Sequence, residues 1–180
     1  MEADAQTELI TLAGGCFWCL EAVYERVDGV LAVENGYSNG HAERPSYEQV
    51  CSGRTGHAEV VRVRFDPARI GLAEILEIFF AVHDPTSRGR QGNDIGTQYR
   101  SAVYWHAAAQ EPIVHAVRAQ ADAAHGGRVV TELAPEANYW RAEDYHQRYY
   151  LNHPEQAYCA FVVAPKVEKF MRTFRARVRA

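Results

Sequence analysis

Residues 59–65, EVVRVRF, form the clearest strand pattern in the chain. Val61, Val63 and Phe65 fall on one face and the two arginines on the other, because successive side chains of a strand point to opposite sides. Asp66-Pro67 ends the pattern. The stretch therefore predicts a half-buried strand with one apolar face.

Strands and helices alternate on both sides of this strand, as shown by apolar residues that recur at strand or helical spacing. The other predicted strands are 9–13, 30–37, 99–105 and 128–133. The predicted helices are 16–27, 47–51, 72–80, 107–125, 143–151 and 167–174. Residues 83–96 are rich in proline, glycine and charge, which predicts a long functional loop. The mixed order favours an α+β fold in which helices cover a sheet.

Length and composition favour one domain. The chain has 180 residues, of which 47% are hydrophobic, and this suffices for one core. We predict a single domain over 1–180, with residues 1–7 disordered and a long, less regular C-terminal segment over about 135–180.

A net charge of -4 gives no reason to expect binding to nucleic acid or to a membrane surface. We see neither a signal-peptide pattern nor a bilayer-spanning apolar stretch, so we expect a cytoplasmic protein.

The pentapeptide GCFWC, residues 15–19, places a cysteine where a strand becomes a helix. The N–H groups and the positive dipole end of a helix N-terminus can lower the pKa of a thiol, so we predict that Cys16 is a nucleophile. Phe17 and Trp18 form an aromatic wall beside it, which suits a small apolar group such as a methyl or a thioether. A structural cysteine packed among aromatic rings is the alternative interpretation.

Glu59 begins the clearest strand with the same parity as its apolar face, so we predict that its carboxyl group points toward the core. Burial raises the pKa of a carboxyl group, and a glutamate with a pKa near or above neutrality can donate a proton. Glu59 is therefore a candidate general acid. A glutamate that turns out to solvent at the strand end is the other interpretation, because glutamate prefers exposure.

Several ordered blocks of the sequence resemble one family. They are GCFWC at 15–19, GRTGHAE at 53–59, HDPT at 83–86, QGNDIGTQYRS at 91–101, DYHQ at 144–147 and YC at 158–159. Together they resemble peptide methionine sulfoxide reductase of the A type over about 9–174. The sequence departs from the family pattern at Asn39, where glycine is frequent, and at His153, which interrupts a usual Asn-Pro step.

The resemblance implies a mixed-sheet, two-layer α/β sandwich of the ferredoxin-like, split βαβ kind. It also implies reduction of the S epimer of methionine sulfoxide, free or in proteins, and repair of oxidised proteins. In this family pattern Cys16 attacks the sulfoxide sulfur, Phe17 and Trp18 hold the S-methyl group, and Glu59 protonates the sulfoxide oxygen. The hydroxyl donors to that oxygen and the carboxylate that orients the substrate are Tyr47, Tyr99 and Asp94.

Oxygen transfer leaves Cys16 as a sulfenic acid, which a second thiol must resolve. The resemblance implies that Cys159, in the loosely ordered C-terminal region, is this resolving cysteine, and that thioredoxin reduces the disulfide. Cys19, three residues after Cys16, is the alternative resolving thiol. Cys51 matches no catalytic position and is expected to pack. We expect no cofactor, no metal and a monomer.

Three other functions and a structural zinc site compete with this interpretation. His57-Ala58-Glu59 has the His-x-Glu pattern of zinc nucleobase deaminases, but no Pro-Cys-x-x-Cys follows it. A structural zinc site would lack a second close cysteine pair. A thioredoxin-like dithiol exchanger could use Cys16 and Cys19, although it would give Glu59 no role. A module that binds oxidised methionine without turning it over is the third alternative.

Overall fold

The computed structural model describes residues 6–180, so the disorder predicted for residues 1–7 falls mostly outside the described residues. The strands are β1 (Glu8–Gly14), β2 (Val30–Ser38), β3 (Ala58–Phe65), β4 (Arg90–Gln91), β5 (Asp94–Ile95), β6 (Ser101–Trp105), β7 (Glu132–Pro135) and β8 (Trp140–Arg141). The α-helices are α1 (Phe17–Tyr24), α2 (Tyr47–Cys51), α3 (Leu72–Val82), α4 (Glu111–Ala124), α5 (Tyr149–Asn152) and α6 (Ala164–Thr173). Short 3₁₀ helices cover Thr97–Tyr99, Ala108–Gln110, Asp144–His146 and Arg175–Arg177, and a π-helix covers Cys159–Val163.

The main sheet has six strands in the order β7-β6-β1-β3-β2-β8. Strand β1 lies in its middle and is antiparallel to both β3 and β6, whereas β6 and β7 are parallel. Leu12 of β1 faces Val61 on one side and Val103 on the other, so three apolar faces lie side by side. The predicted α+β class with a mixed sheet is confirmed. The ferredoxin-like comparison stays a prediction, because β7 and β8 extend the sheet at its edges.

The helices form a second layer on one face of the sheet. The main apolar cluster joins strand residues such as Leu12 and Val61 to Leu20 of α1, Ile75 of α3 and Phe170 of α6. The opposite face carries a smaller cluster of short residues and Tyr104, which the chain after β7 covers. The main cluster joins residues from Ile10 to Phe170, and the single domain stays a prediction.

The C-terminal segment is less regular, as predicted, but its first helix differs from the prediction. The helix expected over 143–151 is divided into the 3₁₀ turn Asp144–His146 and the short α5. Gln147 between them bonds to the backbone of Asn35, at 2.9 Å to its N–H and 3.0 Å to its carbonyl, and so ties this segment to the edge of β2. Arg148 then adopts a left-handed conformation with φ of 54°, which a continuous helix excludes.

Cys159 was expected in a loosely ordered region, and this expectation is wrong. The residue begins a π-helix that continues into α6, and its side chain is buried in the main apolar cluster. Because π-helical turns interrupt regular helices and occur frequently at functional sites, the position remains of interest.

Other boundaries moved by a few residues for local reasons. The helix expected at 107–125 begins at Glu111, after a 3₁₀ turn. The strand expected at 128–133 begins at Glu132, because Val129 and Val130 donate their N–H groups to Asp122 and Pro85 instead of to a strand. Within residues 6–180 we find no helix that is both long and apolar enough to cross a bilayer.

Candidate active site

Cys16 is the N-cap residue of α1, at the turn that leads out of the central strand β1. Gly15 before it has φ of 90°, which favours glycine, and a Cβ atom there would lie only 2.6 Å from Cγ of Gln91. The Gln91 amide group in turn pairs with the Asp84 backbone at 2.6 and 2.9 Å. The loop over 83–96 therefore packs directly against the cysteine turn.

The pKa predicted for Cys16 is wrong in direction. Burial raises the pKa of the Cys16 thiol, and contact with Cys19 and the negative charge of Glu59 raise it further. The helix N-terminus opposes this through the Trp18 N–H, but with less effect. A second N–H group, that of Phe17, is directed to the Glu59 carboxyl group instead of to the sulfur, at 3.2 Å.

Glu59 points inward, as its parity predicted, and its side chain is 1% exposed. Burial raises the pKa of its carboxyl group to about 8, although the bond from the Phe17 N–H lowers it. The negative charges of Asp94 and Cys19 add to the rise. At neutral pH Glu59 is therefore mostly protonated and lies next to the cysteine turn, which is the state that a proton donor needs.

The two predicted hydroxyl donors lie around Glu59. Tyr47 is the first residue of α2, which a capping box between Ser46 and Gln49 stabilises. Burial raises the pKa of Tyr47 and that of Tyr99, and the charge of Glu59 raises both, so the two phenols remain protonated hydrogen-bond donors. The carboxyl group of Glu59 and the hydroxyl groups of Tyr47 and Tyr99 therefore lie close enough for the charge of Glu59 to affect the pKa of both phenols.

Asp94 approaches the same group of residues from the hairpin of β4 and β5. Its carboxylate accepts a hydrogen bond from the Tyr158 hydroxyl at 2.5 Å. Its charge also contributes to the raised pKa of Glu59 and to that of Tyr99. The structure therefore brings together the predicted residues Cys16, Phe17, Trp18, Glu59, Tyr47, Tyr99 and Asp94.

Three residues of the C-terminal segment complete the aromatic wall. The Tyr149 ring stacks on Trp18 with centroids 3.7 Å apart and an angle of 7° between planes, and Tyr158 meets the indole edge-on at 5.8 Å. The Trp18 indole N–H donates to Nδ1 of His146 at 3.2 Å. Phe17 packs against His146 at 5.1 Å. These contacts fix the orientation of the indole.

His146, Tyr149 and Tyr158 had no role predicted from the sequence. A signal was present, because His146 and Tyr158 lie in two of the family-like blocks and tyrosines are dense over 139–158. Aromatic density alone, however, is typical of packing. It does not identify the ring against which a tyrosine stacks.

All four cysteines lie within the described residues and carry free thiols. Contact with Cys16 lowers the pKa of Cys19, and Cys19 and Cys159 both belong to the main apolar cluster. Cys51 was expected to pack, but it is exposed at the end of α2 beside the Tyr47 hydroxyl.

Over residues 6–180, no three histidine, cysteine or acidic side chains lie together in a way that could hold a metal ion. Neither the zinc deaminase hypothesis nor the structural zinc hypothesis therefore has a set of ligands among these residues.

The raised pKa of Glu59 predicts a cost in stability. The folded state keeps a proton that the unfolded state loses above a pH of about 4.5, so wild-type stability falls as the pH rises from there to about 8. Glu59→Gln removes this dependence. We expect the variant to gain roughly 3–4 kcal/mol over wild type between about pH 5 and pH 8.5, measured by urea unfolding. Glu77→Gln, at an exposed position of α3, is the control and should leave the pH dependence unchanged. Parallel stability curves for wild type and Glu59→Gln would contradict the assignment.

The chain matches known proteins over nearly its whole length. The family model of peptide methionine sulfoxide reductase matches residues 8–178. A curated relative, the peptide methionine sulfoxide reductase MsrA of Saccharolobus solfataricus, is 51% identical over 172 residues, which covers 96% of this chain and 97% of the relative.

Solved structures agree with the sequence comparison. The reduced form of Mxr1 from Saccharomyces cerevisiae has a TM-score of 0.80 at 35% identity, and the match covers 88% of this chain and 92% of Mxr1. Mxr1 in complex with Trx2 has a TM-score of 0.57 at 26% identity, with 83% and 88% of the two chains covered. The chain belongs to the peptide methionine sulfoxide reductase family, of the MsrA type.

Proposed function

We propose that this chain reduces the S epimer of methionine sulfoxide, free or in proteins, with Cys16 as the nucleophile and Glu59 as the proton donor. The observation that carries the proposal is the 3.2 Å hydrogen bond from the Phe17 N–H to the Glu59 carboxyl group. This bond holds the protonated Glu59 carboxyl group beside Cys16, the residue that precedes α1. A buried acid next to a buried thiol suits a reaction that must protonate an oxygen as sulfur attacks.

The proposed step balances without an external proton. The Cys16 sulfur forms a bond to the sulfoxide sulfur, the Cys16 thiol proton passes to Glu59, and the proton that Glu59 held goes to the sulfoxide oxygen. The hydroxyl group then moves from the substrate sulfur to the Cys16 sulfur: the S–S bond and the substrate S–O bond break, a new S–O bond forms on Cys16 as a sulfenic acid, and the substrate leaves as a thioether. The raised pKa of Cys16 means that thiolate forms as the proton is transferred instead of being present at rest.

The surroundings support the same assignment. Tyr47 and Tyr99, both held protonated, would donate to the sulfoxide oxygen as its charge develops. Asp94 would orient the substrate through water, and Phe17 with Trp18 would receive the S-methyl group. The aromatic wall suits an apolar methyl group better than a charged group. This favours a substrate that carries its oxidised sulfur next to a methyl group.

The proposed function has a direct test. Each epimer of a methionine sulfoxide peptide is incubated with the protein and dithiothreitol, and the product is identified by mass. We expect methionine from the S epimer alone, and no product from either epimer with Cys16→Ser, because the variant lacks the sulfur that accepts oxygen. Cys51→Ser, which changes an exposed thiol, is the matched control and should remain active. Turnover by Cys16→Ser would disprove the assignment, and binding without turnover by wild type would identify a binding module.

The role of Glu59 predicts a kinetic effect on the chemical step. Glu59→Gln should slow methionine release in a single turnover by about 10²- to 10⁴-fold, as expected for a lost proton donor. Substrate affinity should change much less, because the amide keeps the size of the side chain. The single-turnover rate is measured by quenched flow over a range of substrate concentrations. A rate equal to that of wild type would remove Glu59 from the mechanism.

Recycling is proposed to use thioredoxin and no bound cofactor. The neighbouring structure of Mxr1 with Trx2 supports an external dithiol protein as the reductant. We propose Cys159 as the thiol that resolves the Cys16 sulfenic acid. The contact that lowers the pKa of Cys19 makes Cys19 the second candidate, because it adjoins Cys16 and ionises more readily. The cytoplasmic location and the monomeric state stay predictions.

The two resolving thiols can be separated by single variants. We expect Cys159→Ser to release about one methionine per enzyme without reductant but to turn over poorly with thioredoxin. Cys19→Ser should keep most of its thioredoxin-coupled turnover, measured by NADPH consumption with thioredoxin reductase. The opposite pattern would assign the role to Cys19. A loss of turnover in Cys19→Ser alone would also be expected of a dithiol exchanger, which the sulfoxide peptide assay distinguishes.

A further inference from the structure

Glu21 is a buried carboxylate for which the proposed chemistry has no use. It lies on α1, five residues after Cys16, and is 1% exposed. Its two oxygens accept hydrogen bonds from consecutive backbone groups of the C-terminal segment. Oε2 bonds to the Arg148 N–H at 2.8 Å, and Oε1 bonds to the Tyr149 N–H at 3.2 Å.

The backbone at Arg148 is shaped around this carboxylate. Its φ of 54° is left-handed, which is unfavourable for a residue with a side chain. Such a conformation turns successive N–H groups toward one point, the arrangement that proteins use to bind anions. The neighbouring residues are also held by β2, where the Asn35 side-chain amide donates to the His146 carbonyl at 2.8 Å.

The turn held by Glu21 carries the ring that packs on the proposed substrate pocket. Tyr149 follows Arg148 and stacks on Trp18 with centroids 3.7 Å apart. Trp18 and Glu21 are three residues apart on α1, so they lie on the same side of the helix. One helix therefore holds the same turn at two points, through a ring stack and through a carboxylate.

We propose that Glu21 is a positioning residue that holds Tyr149 against Trp18 and thereby sets the affinity of the pocket for the sulfoxide's methyl group. The inference rests on the proposed function, because it concerns the same pocket. Glu21 acts through Tyr149 and does not touch the reacting atoms. Its effect should therefore fall on substrate binding and not on the rate of oxygen transfer.

The ionised carboxylate is the form that can accept both N–H groups. Burial raises the pKa of Glu21 to about 7, and the charge of Glu25 contributes, whereas the bonds from Arg148 and Tyr149 lower it. Assays above that pKa, at a pH of about 8, keep Glu21 mostly ionised. The same pH is used for every variant, so the state of Glu59 does not differ between them.

The test is a set of single-turnover measurements of methionine release against the concentration of an S-sulfoxide peptide. Glu21→Gln replaces one acceptor oxygen with a donor and should raise the half-saturating concentration about five- to tenfold, with the limiting rate within about twofold. Tyr149→Ala should produce a similar rise. Glu25→Gln is the matched control, because Glu25 pairs with the Arg148 side chain at 3.3 Å and leaves the backbone bonds intact. It should behave like wild type.

The double variant Glu21→Gln/Tyr149→Ala decides between positioning and general destabilisation. If Glu21 acts through Tyr149, the double variant should be no worse than Tyr149→Ala alone, whereas independent effects would multiply. Multiplied effects, or an unchanged half-saturating concentration in Glu21→Gln, would overturn the inference. If Glu21→Gln does not fold, Glu21→Asp, which keeps the charge and withdraws the carboxylate, should raise the half-saturating concentration, and no rise would overturn the inference. An inactive wild type would instead contradict the proposed function.

Discussion

The hydrogen bond between the Phe17 N–H and the Glu59 carboxyl group joins the start of α1 to the start of β3. Strand β1 lies between these elements in the fold, since it pairs with β3 and leads directly into Cys16. The pairing of β1 with β3 therefore sets where the acid lies relative to the sulfur. One of the free N–H groups at the start of α1, that of Phe17, is satisfied by the Glu59 carboxyl group. Burial of this carboxyl group favours its protonated form.

This arrangement has an energetic cost that the rest of the fold offsets. The Glu59 carboxyl group, the Cys16 thiol and the phenols of Tyr47 and Tyr99 occupy positions next to the main apolar cluster, where each of these groups is less stable when charged. Glu59 and Cys16 avoid most of this cost because their raised pKa values favour the neutral forms. The large core formed by β1, β3, β6 and the helices tolerates them, because it buries long apolar side chains on the same face.

The features that could be predicted from sequence were those encoded by spacing. Parity alone placed Glu59 on the buried face of β3, and the change from strand to helical spacing around residues 15–19 predicted the turn at Cys16. The pKa of Cys16 was not predictable in this way, because it depends on burial and on which acceptor takes the Phe17 N–H. The contact of the Phe17 N–H with Glu59 joins residues that are far apart in sequence. The division of the helix expected at 143–151 has a similar origin, because Gln147 bonds to Asn35 across the fold and tertiary contacts overrode local helix propensity.

The C-terminal segment serves two opposing requirements. Near Tyr149 it must be held firmly, because it fixes the indole of Trp18, and three separate contacts through Glu21, Asn35 and Gln147 do this. Near Cys159 the proposed resolving role requires movement, because the thiol is buried in the main apolar cluster. The chain between these points is suited to the change: residues 151–157 are exposed, and the π-helix that follows is the least regular part of the last helix. Opening this stretch would leave the sheet and the stack of Tyr149 on Trp18 intact but would draw Tyr158 away from the indole, so resolution through Cys159 would keep one side of the methyl pocket and open the other.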